Sequence, residues 1–301
     1  MFKKWNPKSS NAIFGLLLIA PLLVWLLVTI GYPLFLCVKL SFLNVEFIGE
    51  KGVFVGLKNY INVVLDASLW HAFRKSLFWV IGNVALQTIL GFFAALILNL
   101  KIRSVSFMRT WIVLPWILPT VVLAIMWRWM LSGTFGVINY LLEKLGVISQ
   151  PINYLGSINE AMPALIFINS WRWFPFITVL LLAALQSVPQ QEYEAAAVDG
   201  ANSLQSFFYV TLPNLKPVMT VLGILGPLLT FNVFDVVWLL TQGGPSRATY
   251  TVPVLIYERG FKAFALSEAA TISVIAFVFL AMFVVVYLLL TKMSVSEYAR
   301  E

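Results

Sequence analysis

Groups able to make or break bonds are scarce in this 301-residue sequence, which contains one histidine, His71, and one cysteine, Cys37. One of each excludes a disulfide framework and a Cys/His zinc site. No Gly-Lys dipeptide occurs, so no Walker A phosphate loop can be drawn. The amide cradle, lysine and carboxylate–magnesium arrangement that ATP chemistry requires is missing with it. No catalytic, metal-ligating or cofactor-binding set is therefore expected. What remains is recognition chemistry inside long apolar stretches. Asn169, Trp173 and Phe176 recur at i, i+4 and i+7, one stripe of a helix. A second stretch carries Thr230, Asn232, Asp235 and Trp238. Aromatic faces with an amide suit a sugar, whose apolar ring face stacks while its hydroxyls exchange hydrogen bonds. Polar groups in a membrane are costly and hence candidate pathway residues. Asn169, Trp173, Thr230 and Asn232 are expected nearest a solute, with Phe176 and Asp235 beside them. The same residue types also bond neighbouring helices or anchor at the lipid interface. Arg172 and Asp235 are expected to pair with each other or with a neighbouring subunit.

The elements that must position these residues follow from composition. Hydrophobic residues make up 60% of the chain and charged ones only 11%, against about 25% charge in a soluble domain. The net charge of +7 is spread too thinly for a nucleic-acid stripe, and 24 Phe with 11 Trp exclude a disordered polar chain. Burying a charge in hydrocarbon costs several kcal/mol, so gaps between ionisable residues mark membrane spans. Residues 9–38, 76–100, 110–127 and 269–291 carry no charge; 161–191 and 217–246 carry one each, Arg172 and Asp235. Each interval holds one span of about 20 residues. Uninterrupted apolar runs such as 278–290 lack the alternation of barrel strands. The expected fold is an all-α integral membrane protein with six transmembrane helices. Lys3, Lys4 and Lys8 precede an apolar stretch longer than a signal h-region, so residues 12–38 read as a retained first helix. Arg128 aside, at the edge of the third interval, basic residues outside the spans divide nine to nine between the two sides. The N-terminal lysines and the basic 101–109 turn favour both termini in the cytoplasm.

One stretch breaks the pattern. Residues 189–217 exceed the two to eight residues of a tight helix–helix turn. Good helix formers fill 192–198, Asp199-Gly200 stops them, and Asn202 or Ser203 can cap a second helix. That helix carries Leu204, Phe207, Phe208 and Leu212 and is expected to end before Pro213. Ala195, Ala196, Ala197 and Ala201 leave the corner small enough for another backbone to approach. Pro115 and Pro119, Pro175, and Pro227 interrupt the third, fourth and fifth spans and permit kinks there.

Glu194-Ala195-Ala196, then Gly200, Val210 and Leu212-Pro213, resemble the EAA loop of binding-protein-dependent ABC importer permeases. Asp199 and Ala201 around the glycine match its carbohydrate-type branch. Trp173-Phe174-Pro175-Phe176 and the run Leu240-Thr241-Gln242-Gly243-Gly244-Pro245 after Phe234-Asp235 are similar to that branch too. The resemblance covers about residues 70–292 and is to the first-permease type of maltose- and glycerol-phosphate-like systems. It implies a type I importer fold: a five-helix core, an extra N-terminal helix, and cytoplasmic coupling helices. Residues 1–70 would then hold the tail, first helix and an external segment; 71–292 the permease core with its coupling loop at 189–217; 293–301 a cytoplasmic tail.

The resemblance further implies a multi-pass subunit of the cell (inner) membrane that forms half of a pathway for a sugar or polyol by alternating access. Its partners would be a second permease, an ATPase dimer that binds ATP and magnesium, an extracytoplasmic solute-binding protein, and lipid, with no nucleic acid. Glu194 would meet a base or amide of the ATPase, Gly200 would form the corner, and Leu212-Pro213 would end the second coupling helix. The bland reading of the loop is an amphipathic helix resting on headgroups. Residues 189–213 contain no Lys or Arg, which such an anchor would want. A self-contained secondary transporter or an intramembrane enzyme is the alternative. The first would show an internal repeat, and the second convergent catalytic groups; neither is evident.

Overall fold

The computed structural model describes residues 7–45, 49–50, 52–100 and 105–291, with side chains from Phe14 onward. Lys3, Lys4, Lys101, Arg103 and the expected tail at 293–301 lie outside the described residues. Among the described residues five helices are long and apolar enough to cross a membrane: Phe14–Ser41, Ala67–Leu98, Ala161–Ser187, Ser203–Phe231 and Leu266–Thr291. The bent pair Val105–Ile117 and Thr120–Met130, counted as one crossing, brings the total to six. These are numbered below as first to sixth span in chain order. The second span has 32 residues, about 48 Å at 1.5 Å each, which exceeds a hydrocarbon core of roughly 30 Å. Its opening turns, with His71, Arg74 and Lys75, therefore reach beyond the charge-free interval.

Proline shapes three of the crossings. Leu118 and Pro119 are both extended, with ψ of 129° and 137°, because the pyrrolidine ring drives its predecessor out of the helical region. The third span turns by 95° there. Pro33 and Pro213 stand at helical positions directly after π turns, Leu27–Gly31 and Phe207–Thr211. The wider π turn absorbs the carbonyl clash and missing donor that proline brings to a helix. Ser203–Phe231 consequently runs through Leu212-Pro213 as one rod, and the expected end before Pro213 is replaced by that π turn. The fifth apolar interval, 217–246, also differs from a single span. Its helix ends at Phe231, and a separate helix, Asp235–Thr241, follows after Asn232, Val233 and Phe234.

Two compact units make up the chain. The first comprises residues 1–66 and 256–278. In it the first span buries no side chain along its apolar window, and a two-residue hairpin pairs Leu43–Asn44 with Val53–Phe54. Asn59 Nδ2 donates to the Ser41 and Leu43 carbonyls, and Arg259 bridges Asp66 at 2.7 Å and Glu268 at 3.2 Å. The second unit comprises residues 67–255 and 279–301. Its centre is the second span packed on the fourth. Gly91 permits that approach: a Cβ there would stand 2.8 Å from Ile177 Cβ and 3.2 Å from the Thr178 nitrogen. Leu98, Leu181, Leu185, Leu215 and Leu222, all nearly inaccessible, close the core towards the 189–217 loop.

Candidate functional site

The 189–217 loop is an elbow of two helices. Gln190–Val198 follows Pro189, whose backbone is extended. It ends in a Schellman motif, with the Ala201 amide donating to the Ala196 carbonyl at 2.9 Å and the Gly200 amide to Ala197 at 3.1 Å. Gly200 supplies the left-handed turn at φ +80°, and no atom lies within 4 Å of a Cβ built there. Asn202 then opens the next helix with a capping box: its side chain accepts from the Gln205 amide while Gln205 Oε1 accepts from the Asn202 amide. Two side-chain bonds brace the elbow onto the fifth span. Tyr193 Oη meets Thr211 Oγ1 at 3.0 Å, and Asn214 Nδ2 donates to Glu192 Oε2 at 2.7 Å.

The elbow's outer surface is apolar yet uncovered. Val198 is 88% exposed, Tyr209 79% and Leu204 67%, and Phe208 is exposed as well. Ala195, Asp199 and Gly200 are open, and Ala196 and Ala201 half-buried. Glu194 is exposed, and its Oε1 accepts from Gln190 Nε2 at 2.9 Å. Leu212 and Pro213 are exposed just after the π turn of the rod, whereas Val210 and Leu215 turn inward.

Within the membrane spans the candidate pathway residues divide. Asn169 is fully buried and donates from Nδ2 to Asn83 Oδ1 at 2.7 Å. Ser170 and Gln87 donate to the same oxygen, and Asn83 Nδ2 donates to the Trp79 carbonyl. Asn169 thus belongs to an amide cluster that joins the second and fourth spans. Thr230 is buried too, at 4% exposure, and its carbonyl accepts from Trp79 Nε1. Both residues were expected near solute; Asn169 is engaged in this amide cluster, whereas Thr230 lines the same cavity as Trp173 and Phe176. Trp173 and Phe176 stay partly open. Their rings meet edge to face at 6.1 Å, and with Gln87, Leu222, Leu229 and Val233 they line a cavity of about 30 Å3. That volume is about one water's share of the liquid. A sugar ring does not fit in this state.

Asn232 is exposed, its Nδ2 donating to the Leu228 carbonyl. Asp235 collects three elements on one carboxylate. Oδ2 accepts from Thr120 Oγ1 at 2.7 Å and from Arg172 at 3.4 Å, and Oδ1 accepts from the Val236 amide. The expected Arg172–Asp235 pair is present, and Arg172 also lies 5.8 Å from the Trp173 ring centre. Sequence reading passed over Asn83, although an amide in a charge-free run was a usable signal. It also missed Thr120, whose partner is 115 residues away. The Gly243-Gly244-Pro245 motif forms a turn: Thr249 Oγ1 donates to the Gly244 carbonyl at 2.7 Å and meets Thr241 Oγ1 at the same distance.

Residues 87–293 match the family described as "Binding-protein-dependent transport system inner membrane component". The chain is 38% identical over 285 residues to the "Trehalose/maltose transport system permease protein MalF" of Thermococcus litoralis, covering 93% of this chain and 94% of that one. It is 30% identical to the "Inner membrane ABC transporter permease protein YcjO" of Escherichia coli, covering 89% and 91%. Among solved structures it resembles a chain of a bacterial ABC transporter involved in import of the acidic polysaccharide alginate. The TM-score is 0.81 with 21% identity, over 95% of this chain and 96% of that chain. The likeness at that identity concerns the fold.

Proposed function

This chain belongs to the binding-protein-dependent transport system inner membrane components, and from that premise we propose that it passes a saccharide along a wall carrying Trp173 and Phe176 under the drive of an ATPase seated on the elbow. The chain is a permease subunit of an ABC importer and a multi-pass protein of the inner membrane. It is the non-catalytic membrane subunit and binds no cofactor of its own. Family membership displaces the alternatives of a self-contained secondary carrier and an intramembrane enzyme.

The observation that carries the coupling role is the elbow's exposed apolar surface. Large apolar groups such as Val198, Leu204 and Tyr209, open on a stretch, 189–213, without Lys or Arg, suit a protein cleft better than headgroups. Glu194, Ala195, Ala196, Asp199, Gly200 and Ala201 would form the surface presented to the ATPase, and Leu212-Pro213 the joint where the push enters the fifth span. Seating on an ATPase puts the elbow and both termini in the cytoplasm. A second permease would complete the pathway. The external stretches near 41–70, 132–158 and 246–266 would face the solute-binding protein. We take 71–292 as the permease core and 1–70 as the added N-terminal part. For the solute, the support is the Trp173–Phe176 pair together with a relative whose name specifies trehalose and maltose.

The test starts from a Cys37→Ser background with Val198→Cys or Leu204→Cys in the assembled importer. A membrane-impermeant maleimide should label the new thiol only in inside-out vesicles, and a short bifunctional cross-linker should join it to the ATPase. Labelling from the outside, or cross-links to nothing through a full ATP cycle, refutes the coupling role.

A further inference from the structure

Away from the passage, the opening turns of the second and fourth spans enclose a cavity of about 510 Å3 whose lining includes His71, Arg74, Lys75, Phe78, Ile158 and Pro163. The cavity lies at the start of Ala161–Ser187, and the elbow follows the far end of that same helix. Its 27 residues, at about 1.5 Å each, separate the two by roughly 40 Å, a full membrane thickness. His71 Nε2 is engaged at 3.0 Å with the Arg247 carbonyl. Arg74 and Lys75 make no hydrogen bond or ion pair with any described residue. Two cations thus face one cavity at a membrane boundary, neither in an ion pair with a described residue.

The chain changes character directly below them. Arg74, Phe78, Ile81, Ala85 and Ile89 follow at spacings of four, three, four and four, a single exposed face of the second span. Phe78 is 56% exposed and Ile81 59%, and residues 76–100 contain no charge. A cationic rim standing over a continuous apolar stripe has the division of a phospholipid, phosphate above and acyl chain below. A soluble anion or an acidic protein loop would use the rim alone.

We propose that this cavity binds the phosphodiester of an anionic phospholipid, with Arg74 and Lys75 on the phosphate and one acyl chain along Phe78 and Ile81. The lipid belongs to the leaflet opposite the elbow; that leaflet is the outer one on the reading of the elbow given above, while the site itself does not depend on it.

The assembled importer, reconstituted in nanodiscs of equal phosphatidylglycerol and phosphatidylcholine, is extracted gently and its retained lipid counted by native mass spectrometry. Phosphatidylglycerol should be enriched. Arg74→Gln or Lys75→Gln should lower the enrichment by about fivefold each, and Phe78→Ser should lower it with both cations in place. Lys144→Gln, on the separate helix Val137–Lys144, should leave it unchanged. Unchanged enrichment in the Arg74→Gln/Lys75→Gln double variant overturns the site. So does displacement of the lipid by equimolar glycerophosphoglycerol, which would make it a site for a free anion. Weakened association of the solute-binding protein with lipid enrichment intact would assign the two cations to an acidic protein partner and overturn it as well.

Discussion

Replacing Gly200 by alanine separates the shape of the elbow from its chemistry. The residue sits at φ +80°, and an added Cβ would touch nothing within 4 Å, so the whole cost of the substitution is backbone strain. For an L-residue with a Cβ the left-handed region costs about 1–2 kcal/mol. That energy sets against the two Schellman bonds and the Asn202 cap, which are also what fix the angle between Gln190–Val198 and the fifth span. If the ATPase reads that angle, its affinity for the solubilised permease pair should fall by about 5- to 30-fold in Gly200→Ala. Gly200→Asn should lose only a few-fold, because asparagine enters the left-handed region more readily. Titration of labelled ATPase onto the permease measures affinity, and solute-stimulated ATP hydrolysis in proteoliposomes reads the coupled cycle. The thermal stability of Gly200→Ala should fall by no more than about 1–2 kcal/mol, a few degrees, since Gly200 packs against nothing and no steric cost adds to the strain. Equal losses for alanine and asparagine, or unchanged affinity in both, would show that the corner's geometry is not what the ATPase reads.

Gly91→Ala should destabilise the solubilised chain by about 1–3 kcal/mol, because its Cβ meets Ile177 Cβ at 2.8 Å and backbone at 3.2 Å. Gly226→Ala, where Val84 lies at an ordinary 3.4 Å, should be tolerated, and thermal melts compare the two. Asn83→Leu orphans the buried Asn169 amide and should cost about 1–3 kcal/mol in the same assay, whereas a cavity-facing amide would cost little. Trp173→Ala should lower solute uptake by roughly ten- to thirtyfold while ATPase affinity holds, and Trp173→Phe should retain most of it. A parallel loss of ATPase affinity would make Trp173 a packing residue.

Much of the architecture was legible without coordinates because the quantity that places a span is local. A charge in hydrocarbon is costly wherever its neighbours lie, so the uncharged intervals around 9–38, 76–100 and 269–291 mark helices directly. The elbow was legible for a similar reason. Asp199-Gly200 and Asn202 act on amides one to five residues away, and the Schellman motif and capping box formed where those residue types allow them. The same local logic misjudged Pro213, since a π turn five residues long was enough to carry the helix past it. Which face of a membrane helix meets solute was decided elsewhere. In lipid both faces of a span are apolar, so periodicity carries no contrast between wall and passage. Asn169 and Trp173 share a stripe in the sequence, yet the first is spent on Asn83, 86 residues away, and the second opens onto a cavity. Asp235 likewise has its role set by Thr120 and Arg172, from two other elements of the chain. Local energies placed the helices in the membrane; only the packing of one against another determined which polar side chains are used up in holding them together.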